Sequence, residues 1–198
     1  LVFPPPLPDR AGDFATVVTA RDGRPLRAFP DREGVWRLPV EVDEVSSLYL
    51  EALLTYEDRW FWRHPGVNPI AVLRATAQGL SEGRVVSGAS TLTMQVARLI
   101  EPQPPGLLGK LKQSLRALQL EWRLDKREIL ELYLNYAPFG GPIEGVQAAS
   151  WAYLGKPASQ LSHAEAALLA VLPQAPSRLR PDRHPERARA ARDKVLQR

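Results

Sequence analysis

Two adjacent carboxylates, Glu57 and Asp58, stand at the end of an apolar helical pattern, and large aromatic side chains follow them directly. The surrounding stretch, residues 56–66, reads YEDRWFWRHPG. A carboxylate beside aromatic walls can act as a general base, because partial burial raises its pKa and neighbouring cations keep the charged form accessible. A Glu-Asp pair at a helix end is also typical of a solvated or capping feature. Taken alone, the stretch leaves both interpretations open.

The elements on either side of the carboxylates are predicted to be helices. Apolar residues recur at three- and four-residue spacing from residue 41 onward, which predicts a helix that ends near Glu57. Pro65-Gly66 breaks the chain, and Asn68-Pro69 begins a second helix with Pro69 in its first turn. Ile70, Leu73, Ala77 and Leu80 form the apolar side of that helix, which ends near Gly83.

A polar loop of small residues, 84–90, is predicted to precede a third helix from Thr91 to Arg98, with Ser90 as its N-cap. Hydroxyls and helix N-terminal N–H groups at residues 87–91 could bind an oxyanion or a pyrophosphate. Loop and cap serines are common, so this signal is weak. Residues 102–109 are rich in proline and glycine and are predicted to be a flexible linker or flap.

The helix predicted from Lys110 to Leu124 has apolar residues on two sides and is predicted to be largely buried, with one basic edge. One apolar stripe consists of Leu111, Leu115, Leu118 and Trp122, and the other side of Gln113, Ala117, Leu120 and Leu124. A basic edge is usually a solvated face. Here Arg98 and Lys110 lie close by in sequence, which predicts a cationic cluster around the proline-rich flap.

The rest of the chain predicts a mainly α fold with a minor N-terminal β element. An Asp-Gly turn between residues 14–20 and 25–29 indicates a hairpin, and residues 35–40 a third short strand. Helices are predicted at 126–136 and from Gly145 to Leu154, and Ser162 with Glu165 forms a capping box for another. The domain prediction is an extended segment and hairpin over 1–40, followed by one catalytic domain over 41–198.

Composition excludes several function classes. The chain has 198 residues, a net charge of +4 and no cysteine, which rules out disulfides and cysteine nucleophiles. The three histidines lack a metal-ligand spacing, and neither a P-loop nor a Ser-x-x-Lys motif occurs. The mild positive charge suits an anionic partner without selecting one. No signal peptide or membrane span is evident, and both ends look cut, so an excised domain is expected.

Four motifs in order resemble those of the family 51 glycosyltransferases, the peptidoglycan glycosyltransferase domains of class A penicillin-binding proteins. The first is Glu57-Asp58-x-x-Phe61-x-x-His64-x-Gly66 and the second is GASTLTMQ at 88–95. The stretches that resemble the fourth and fifth motifs of the family lie at 126–135 and 145–156. The loop at 137–141 and the run at 172–181 are most similar to the 1C-type branch of the family.

The resemblance implies a lysozyme-like helical head with a smaller membrane-facing jaw at roughly 84–125. It also implies polymerisation of lipid II into β-1,4-linked glycan with inversion, with Glu57 as general base. Arg98, Lys110 and Arg116 would neutralise the leaving pyrophosphate. Ser90, Thr91 and Gln95 would hold the donor and its loop, and Asp58 would support the Glu57 site. The implied substrate-binding set is Asp58, Ser90, Thr91, Gln95, Arg98, Lys110, Gln113 and Arg116.

The same resemblance implies lipid II, the growing glycan chain and the membrane surface as partners, and no nucleic acid. It places the domain on the periplasmic face of the inner membrane, with the anchor outside this chain and a transpeptidase domain as a candidate C-terminal neighbour. No cofactor and no protein metal site are assigned. A divalent cation, Mg²⁺ or Mn²⁺, at the pyrophosphate is left open.

The third motif departs from the family pattern. Where the family usually has Arg-Lys-x-x-Glu, this chain has Gly109-Lys110-Leu111-Lys112-Gln113. The second carboxylate is therefore a neutral amide, and either Gln113 only hydrogen-bonds or Lys112 and Arg116 take over its role. Two alternatives to the polymerase remain: a lysozyme-like glycan hydrolase with Glu57 as general acid, and a basic helical module that binds nucleic acid or anionic lipid.

Overall fold

The computed structural model of the protein describes residues 7, 14–21, 25–71, 73–74 and 90–197. The chain divides into two compact units. The first unit contains residues 57–130 and carries the residues singled out for chemistry. The second contains residues 8–56 and 131–198, and residues 1–7 belong to the first.

Small sheets lie in the second unit. β1 (Thr16–Thr19) and β2 (Pro25–Phe29) form the predicted antiparallel hairpin, with Val17 opposite Ala28. β3 (Trp36–Arg37) is shorter than the predicted strand and belongs to another sheet, which has the order β3-β5-β4. In that sheet β5 (Ile143–Glu144) pairs in parallel with β3 and antiparallel with β4 (Pro138–Gly140).

Helices dominate, which confirms the prediction of a mainly α fold. Apart from the helical residues at 69–71, the α-helices of the described ranges are, in chain order, α1 (Ser47–Glu57), α2 (Leu92–Ile100), α3 (Leu107–Arg123), α4 (Lys126–Tyr136), α5 (Val146–Leu154), α6 (His163–Val171) and α7 (Pro185–Leu196). The bounds of α4 are those predicted. α1 begins later than residue 41, because Val42–Glu44 forms a separate 3₁₀ turn with its own capping box.

The second unit has an ordinary globular core. Its fully buried large side chains are Tyr49, Leu53, Tyr133, Leu134, Phe139, Leu169 and Leu172. The side chain of Asn135 accepts from the N–H of Val40 and donates to its carbonyl, both at 2.9 Å. The predicted capping box at Ser162 and Glu165 is confirmed at the start of α6.

The first unit is built around α2 and α3, which are joined by the short connection at residues 101–106. Its fully buried large side chains are Phe61, Leu92, Leu120, Ile129 and Leu130. Gly109, Gln113, Ala117 and Leu120 form the buried side of α3. The small residues among them allow α3 to approach α2 closely, since Gln113 contacts the backbone of Met94.

The prediction that α3 is largely buried is wrong for one of its two apolar sides. Leu111, Leu115 and Leu118 are 57%, 53% and 42% exposed, and Trp122 is 80% exposed. Leu107 and Leu108, at the start of the helix, continue the same stripe and are also exposed. We call these six residues the leucine stripe. Amphipathic periodicity identified both apolar sides, but it does not say which of them meets the protein.

Other differences from prediction concern helix ends. Thr91, not Ser90, is the N-cap of α2, because its hydroxyl accepts from the N–H of Met94. α3 begins at Leu107, so Gly109 lies inside a helix rather than in a flap. Residues 69–71 are helical, as predicted, and the Asn68 side chain accepts from the N–H groups of Ile70 and Ala71. Ala77, Leu80, Gly83 and the predicted loop at 84–89 lie outside the described residues.

Within the described residues, the longest helices are too short or too polar to cross a bilayer.

Candidate active site

The carboxylate of Glu57 is held by an amide from α2. Glu57 is the last residue of α1 and is half-buried. The Gln95 side chain, one turn into α2, donates from Nε2 to Oε2 of Glu57 at 2.8 Å. A neutral donor orients the carboxylate and leaves its charge in place, as a general base requires. The two residues that the sequence assigned to the base and to its loop are therefore in direct contact.

Asp58 faces into the protein. Its carboxylate is 4% exposed and accepts from Nε2 of His64, at 2.9 Å to one oxygen and 3.0 Å to the other. It also accepts from the N–H of Leu92 at 2.8 Å, at the first turn of α2. An anion at a helix N-terminus satisfies an unpaired N–H and favours the helix dipole. Asp58 thus ties the segment that carries Glu57 to the start of the helix that carries Gln95.

Thr91 fastens the same helix end to the turn at Gly66. Its hydroxyl caps α2 and donates to the carbonyl of Gly66. Gly66 has φ +85°, and a Cβ there would lie 2.9 Å from the carbonyl oxygen of Ala117, so the turn needs glycine. The Thr91 side chain is buried and engaged within the protein, whereas Ser90 is half-buried just before the cap.

Gln113 is buried between α2 and α3, with 6% exposure. Its Nε2 donates to the carbonyl oxygen of Met94 at 2.6 Å. Met94 precedes Gln95 in the chain, so this contact lies one peptide unit from the Glu57 partner. The sequence alternative in which Gln113 only hydrogen-bonds agrees with this geometry.

Arg98 and Lys110 are brought to the same end of the helix pair. α2 and α3 run antiparallel through their short connection, and Met94 and Gln113 mark a point of contact between them. Arg98 lies one turn after Met94 on α2, and Lys110 lies one turn before Gln113 on α3. Because the helices are antiparallel, both residues lie on the side of the contact that faces the connection at 101–106. Both side chains are exposed. The predicted cationic cluster is thus consistent with the course of the helices.

Arg116 takes part in a different arrangement. Its Nε pairs with the Glu101 carboxylate at 2.8 Å, and its Nη1 donates to Oε1 of Gln119 at 2.8 Å. These residues line a shallow pocket of about 280 Å³ with Gln103, Lys112 and Leu115. The charge of Arg116 is therefore partly compensated inside the protein, and its part in holding the pyrophosphate stays a prediction.

The sequence did not single out one network of polar contacts in this unit. The Glu121 carboxylate accepts from the hydroxyl of Thr93 and from the ammonium of Lys126, both at 2.6 Å. Lys126 also lies over the ring of Phe61, 4.4 Å from its centroid. Phe61 and Lys126 both belong to the resembled motifs, which was the available signal. This chain links the aromatic segment after Glu57 to α2, α3 and α4.

The residues described here do not fit a divalent cation held by the protein. Across the described ranges, no three acidic, histidine or cysteine side chains converge on one point. Position 113, where a second carboxylate would be an oxygen ligand, presents its amide nitrogen to Met94. No chemical step is therefore assigned to a metal ion.

Sequence comparison identifies the family to which this site belongs. The family described as Transglycosylase matches residues 22–198, so the chain belongs to the transglycosylase family. Over 98% of its length the chain is 65% identical to penicillin-binding protein 1C of Escherichia coli, and over 82% it is 42% identical to penicillin-binding protein 1A of Aquifex aeolicus. The resemblance to the family, and to its 1C branch, is confirmed.

The chain spans only about a quarter of these relatives, 25% of the first and 22% of the second. Among solved structures, penicillin-binding protein 1A from Haemophilus influenzae matches the fold with a TM-score of 0.50 and 22% identity. That match covers 93% of this chain and 18% of the other. A transpeptidase domain beyond residue 198 and the domain bounds at 40 and 41 stay predictions.

Proposed function

We propose that this chain is a peptidoglycan glycosyltransferase that polymerises lipid II into β-1,4-linked glycan. The 4-hydroxyl oxygen of the acceptor sugar attacks C1 of the lipid-linked donor. The C1–oxygen bond to the pyrophosphate breaks with inversion, and the hydroxyl proton passes to Glu57. The products are a lengthened glycan and undecaprenyl pyrophosphate. Membership of the transglycosylase family supports the reaction class.

The observation that carries the proposal is the contact between Gln95 and Glu57. The amide holds one carboxylate oxygen at 2.8 Å and cannot supply a proton at neutral pH, so the carboxylate remains available as a base. Asp58, His64 and Thr91 fix the two segments that carry these side chains. A base fixed in this way is pre-oriented, which lowers the entropic cost of reaching the transition state.

The leaving group is assigned to the other end of α2. A departing pyrophosphate gains negative charge as the glycosidic bond breaks, and fixed cations stabilise such charge most where water is scarce. Arg98 lies three residues after Gln95 on α2, roughly 4.5 Å further along the axis. Lys110 reaches the same end from α3. Base and cations are then separated along one helix, as a reaction with an uncharged nucleophile and an anionic leaving group requires.

The leucine stripe supports a membrane location. It runs along α3 over residues 107–122, and Lys110, Lys112 and Arg123 flank it as exposed cations. An exposed apolar stripe with flanking cations is typical of a helix lying in the interface of an anionic bilayer. We place this face on the periplasmic surface of the inner membrane, where the isoprenoid tail of the substrate is anchored.

The test is an assay with lipid II and, separately, with finished glycan. We expect polymer from lipid II and no soluble fragments from glycan. Glu57→Gln is expected to lower polymerisation by roughly 10²- to 10⁴-fold, the usual contribution of a general base, with an unchanged unfolding temperature. Fragments from glycan without polymer would establish a hydrolase. Full activity of Glu57→Gln would refute the assigned base.

A further inference from the structure

Position 113 makes a buried contact whose chemistry is unambiguous. The Gln113 side chain lies 2.6 Å from the carbonyl oxygen of Met94 and is 6% exposed. A carbonyl oxygen only accepts hydrogen bonds, so the side-chain atom facing it must be the NH₂ donor. An ionised carboxylate at this position would set two acceptor oxygens against each other in a buried space, which is strongly unfavourable.

The acceptor belongs to the peptide unit that leads to the partner of Glu57. The carbonyl of Met94 and the N–H of Gln95 are parts of one planar group, so fixing the first fixes the second. The N–H of Gln95 is itself bonded to the carbonyl of Thr91 at 3.1 Å. From that backbone position the Gln95 amide reaches Oε2 of Glu57 at 2.8 Å. A continuous path of contacts therefore joins position 113 to the proposed base.

We propose that Gln113 is a positioning residue that aims Gln95 at Glu57, and that position 113 in this chain must be a neutral hydrogen-bond donor. The inference rests on the proposed function, because the reaction at Glu57 is its readout. It gives the departure from the Arg-Lys-x-x-Glu pattern a definite meaning. The amide is not a weakened second acid: it is the group that the backbone of α2 requires.

The informative variant is Gln113→Glu. When protonated, the new carboxyl can donate to Met94 as the amide does, and when ionised it cannot. Burial raises the pKa of a carboxyl, so the protonated form persists above the usual range near pH 4.3. The kcat of the variant relative to wild type, measured at each pH on lipid II, should therefore rise as the pH falls. Dividing by wild type removes the pH dependence that the two enzymes share.

Gln113→Met keeps the size of the side chain and removes the donor at every pH. We expect a kcat about tenfold lower at all pH values, with little change in KM, since the side chain is only 6% exposed. Gln103→Met is the matched control. The Gln103 amide also donates to a backbone carbonyl, that of Glu101 at 3.1 Å, but the contact is local and does not involve α2 residues near Glu57. This control should retain wild-type kcat.

A double-mutant cycle separates positioning from a general structural role. If Gln113 acts through Gln95, then Gln95→Ala combined with Gln113→Met should have the kcat of Gln95→Ala alone. Multiplying losses would overturn the inference, as would a Gln113→Glu profile parallel to wild type. Inactive wild-type enzyme on lipid II would instead reject the proposed function.

Discussion

The two compact units bury apolar side chains in different ways. In the second unit large residues such as Tyr49, Phe139 and Leu169 are fully buried, and few large apolar side chains face solvent. In the first unit the buried set is smaller, and much of the large apolar surface is exposed, including Trp60, Trp62 and the leucine stripe. Leucine and aromatic residues thus form a buried core in the second unit and much of the exposed surface in the first.

Among the described residues, buried polar side chains are more numerous in the first unit than in the second. Buried polar contacts in the first unit, from Asp58, Thr91 and Gln113, cross between segments and converge on α2. They hold the helix that presents Gln95, although the apolar core beneath is small. In the first unit the position of α2 therefore depends on specific hydrogen bonds together with the packing of its buried apolar residues, such as Leu92 and Val96. The second unit has a larger apolar core beside its own buried contact between Asn135 and Val40.

The largest difference between the units is expected from truncating leucine. Leu169→Ala in the second unit removes a side chain with no exposure and should lower the free energy of unfolding by about 2–5 kcal/mol. Leu118→Ala, in the leucine stripe, should lower it by less than about 0.5 kcal/mol, because the side chain is 42% exposed. Denaturant titration of both variants makes the comparison. Equal losses would show that the stripe is covered in the folded protein.

The second effect concerns membrane binding. Leu111→Gln combined with Leu118→Gln should weaken partition onto vesicles with anionic lipid by roughly 10- to 100-fold, since each leucine contributes on the order of 1 kcal/mol when partly buried in the interface. Vesicle sedimentation measures the partition. Val18→Gln, an exposed apolar residue of β1, is the control in the second unit and should leave partition unchanged. Unaltered binding of the double variant would remove the stripe from the proposed interface.

A third, intermediate effect is expected at Asp58. Asp58→Asn removes the negative charge and one acceptor oxygen, so Nε2 of His64 must accept from the new NH₂ group instead of donating, and the contact to the N–H of Leu92 loses its charge assistance. We expect the free energy of unfolding to fall by about 1–3 kcal/mol and kcat to fall with it, because the start of α2 is released. Calorimetry and the lipid II assay on one preparation measure both. A variant with lower activity and full stability would mean that Asp58 contacts substrate.

The smallest effect lies in the second unit and depends on pH. Ion pairing with Lys156 at 2.6 Å and hydrogen bonds from Ser162 lower the pKa of Glu165 from 4.5 to about 2. Since the folded-state pKa is below the unfolded value, the stabilisation is present above about pH 4.5 and is lost as the pH falls toward 2. Glu165→Gln should cost ~0.5 kcal/mol at pH 7, as expected for an exposed pair. Thermal scans of wild type and Glu165→Gln at pH 7 and near pH 2 should show that the difference in stability is present at pH 7 and absent in acid.

The sequence predicted the helices well because their signals are local. The bounds of α4 and the capping box at Ser162 follow from periodicity and from cap chemistry within four residues. The exposure of the leucine stripe did not follow, because it depends on how α3 is rotated about its own axis. The small side with Gly109 and Ala117 packs closely, and this outcome depends on tertiary fit rather than on apolar content.

The sequence singled out residues of the candidate site but did not predict how they contact one another. The motif resemblance singled out Glu57 and Gln95 for separate roles, and their direct contact is a finding of the structure. Asp58 and His64 are only six residues apart in the sequence, yet their contact depends on the turn that the chain makes between them. The contact of Gln113 with Met94 joins two helices and could not be derived from either one. The role of Glu57 as base stays a prediction, as do the substrate roles of Asp58, Ser90, Thr91, Gln95, Arg98, Lys110, Gln113 and Arg116.

Gly109 has a consequence for how this sequence can change. A Cβ at that position would overlap the carbonyl oxygen of Pro104, so no other residue fits while the connection keeps its course. Replacing Gly109 by the arginine of the resembled pattern would displace the Pro104 segment and the start of α3. Residue 109 and the proline-rich connection are therefore expected to change together along a lineage. A series of substitutions toward the more usual motif would have to change the connection at 101–106 before it replaces Gly109.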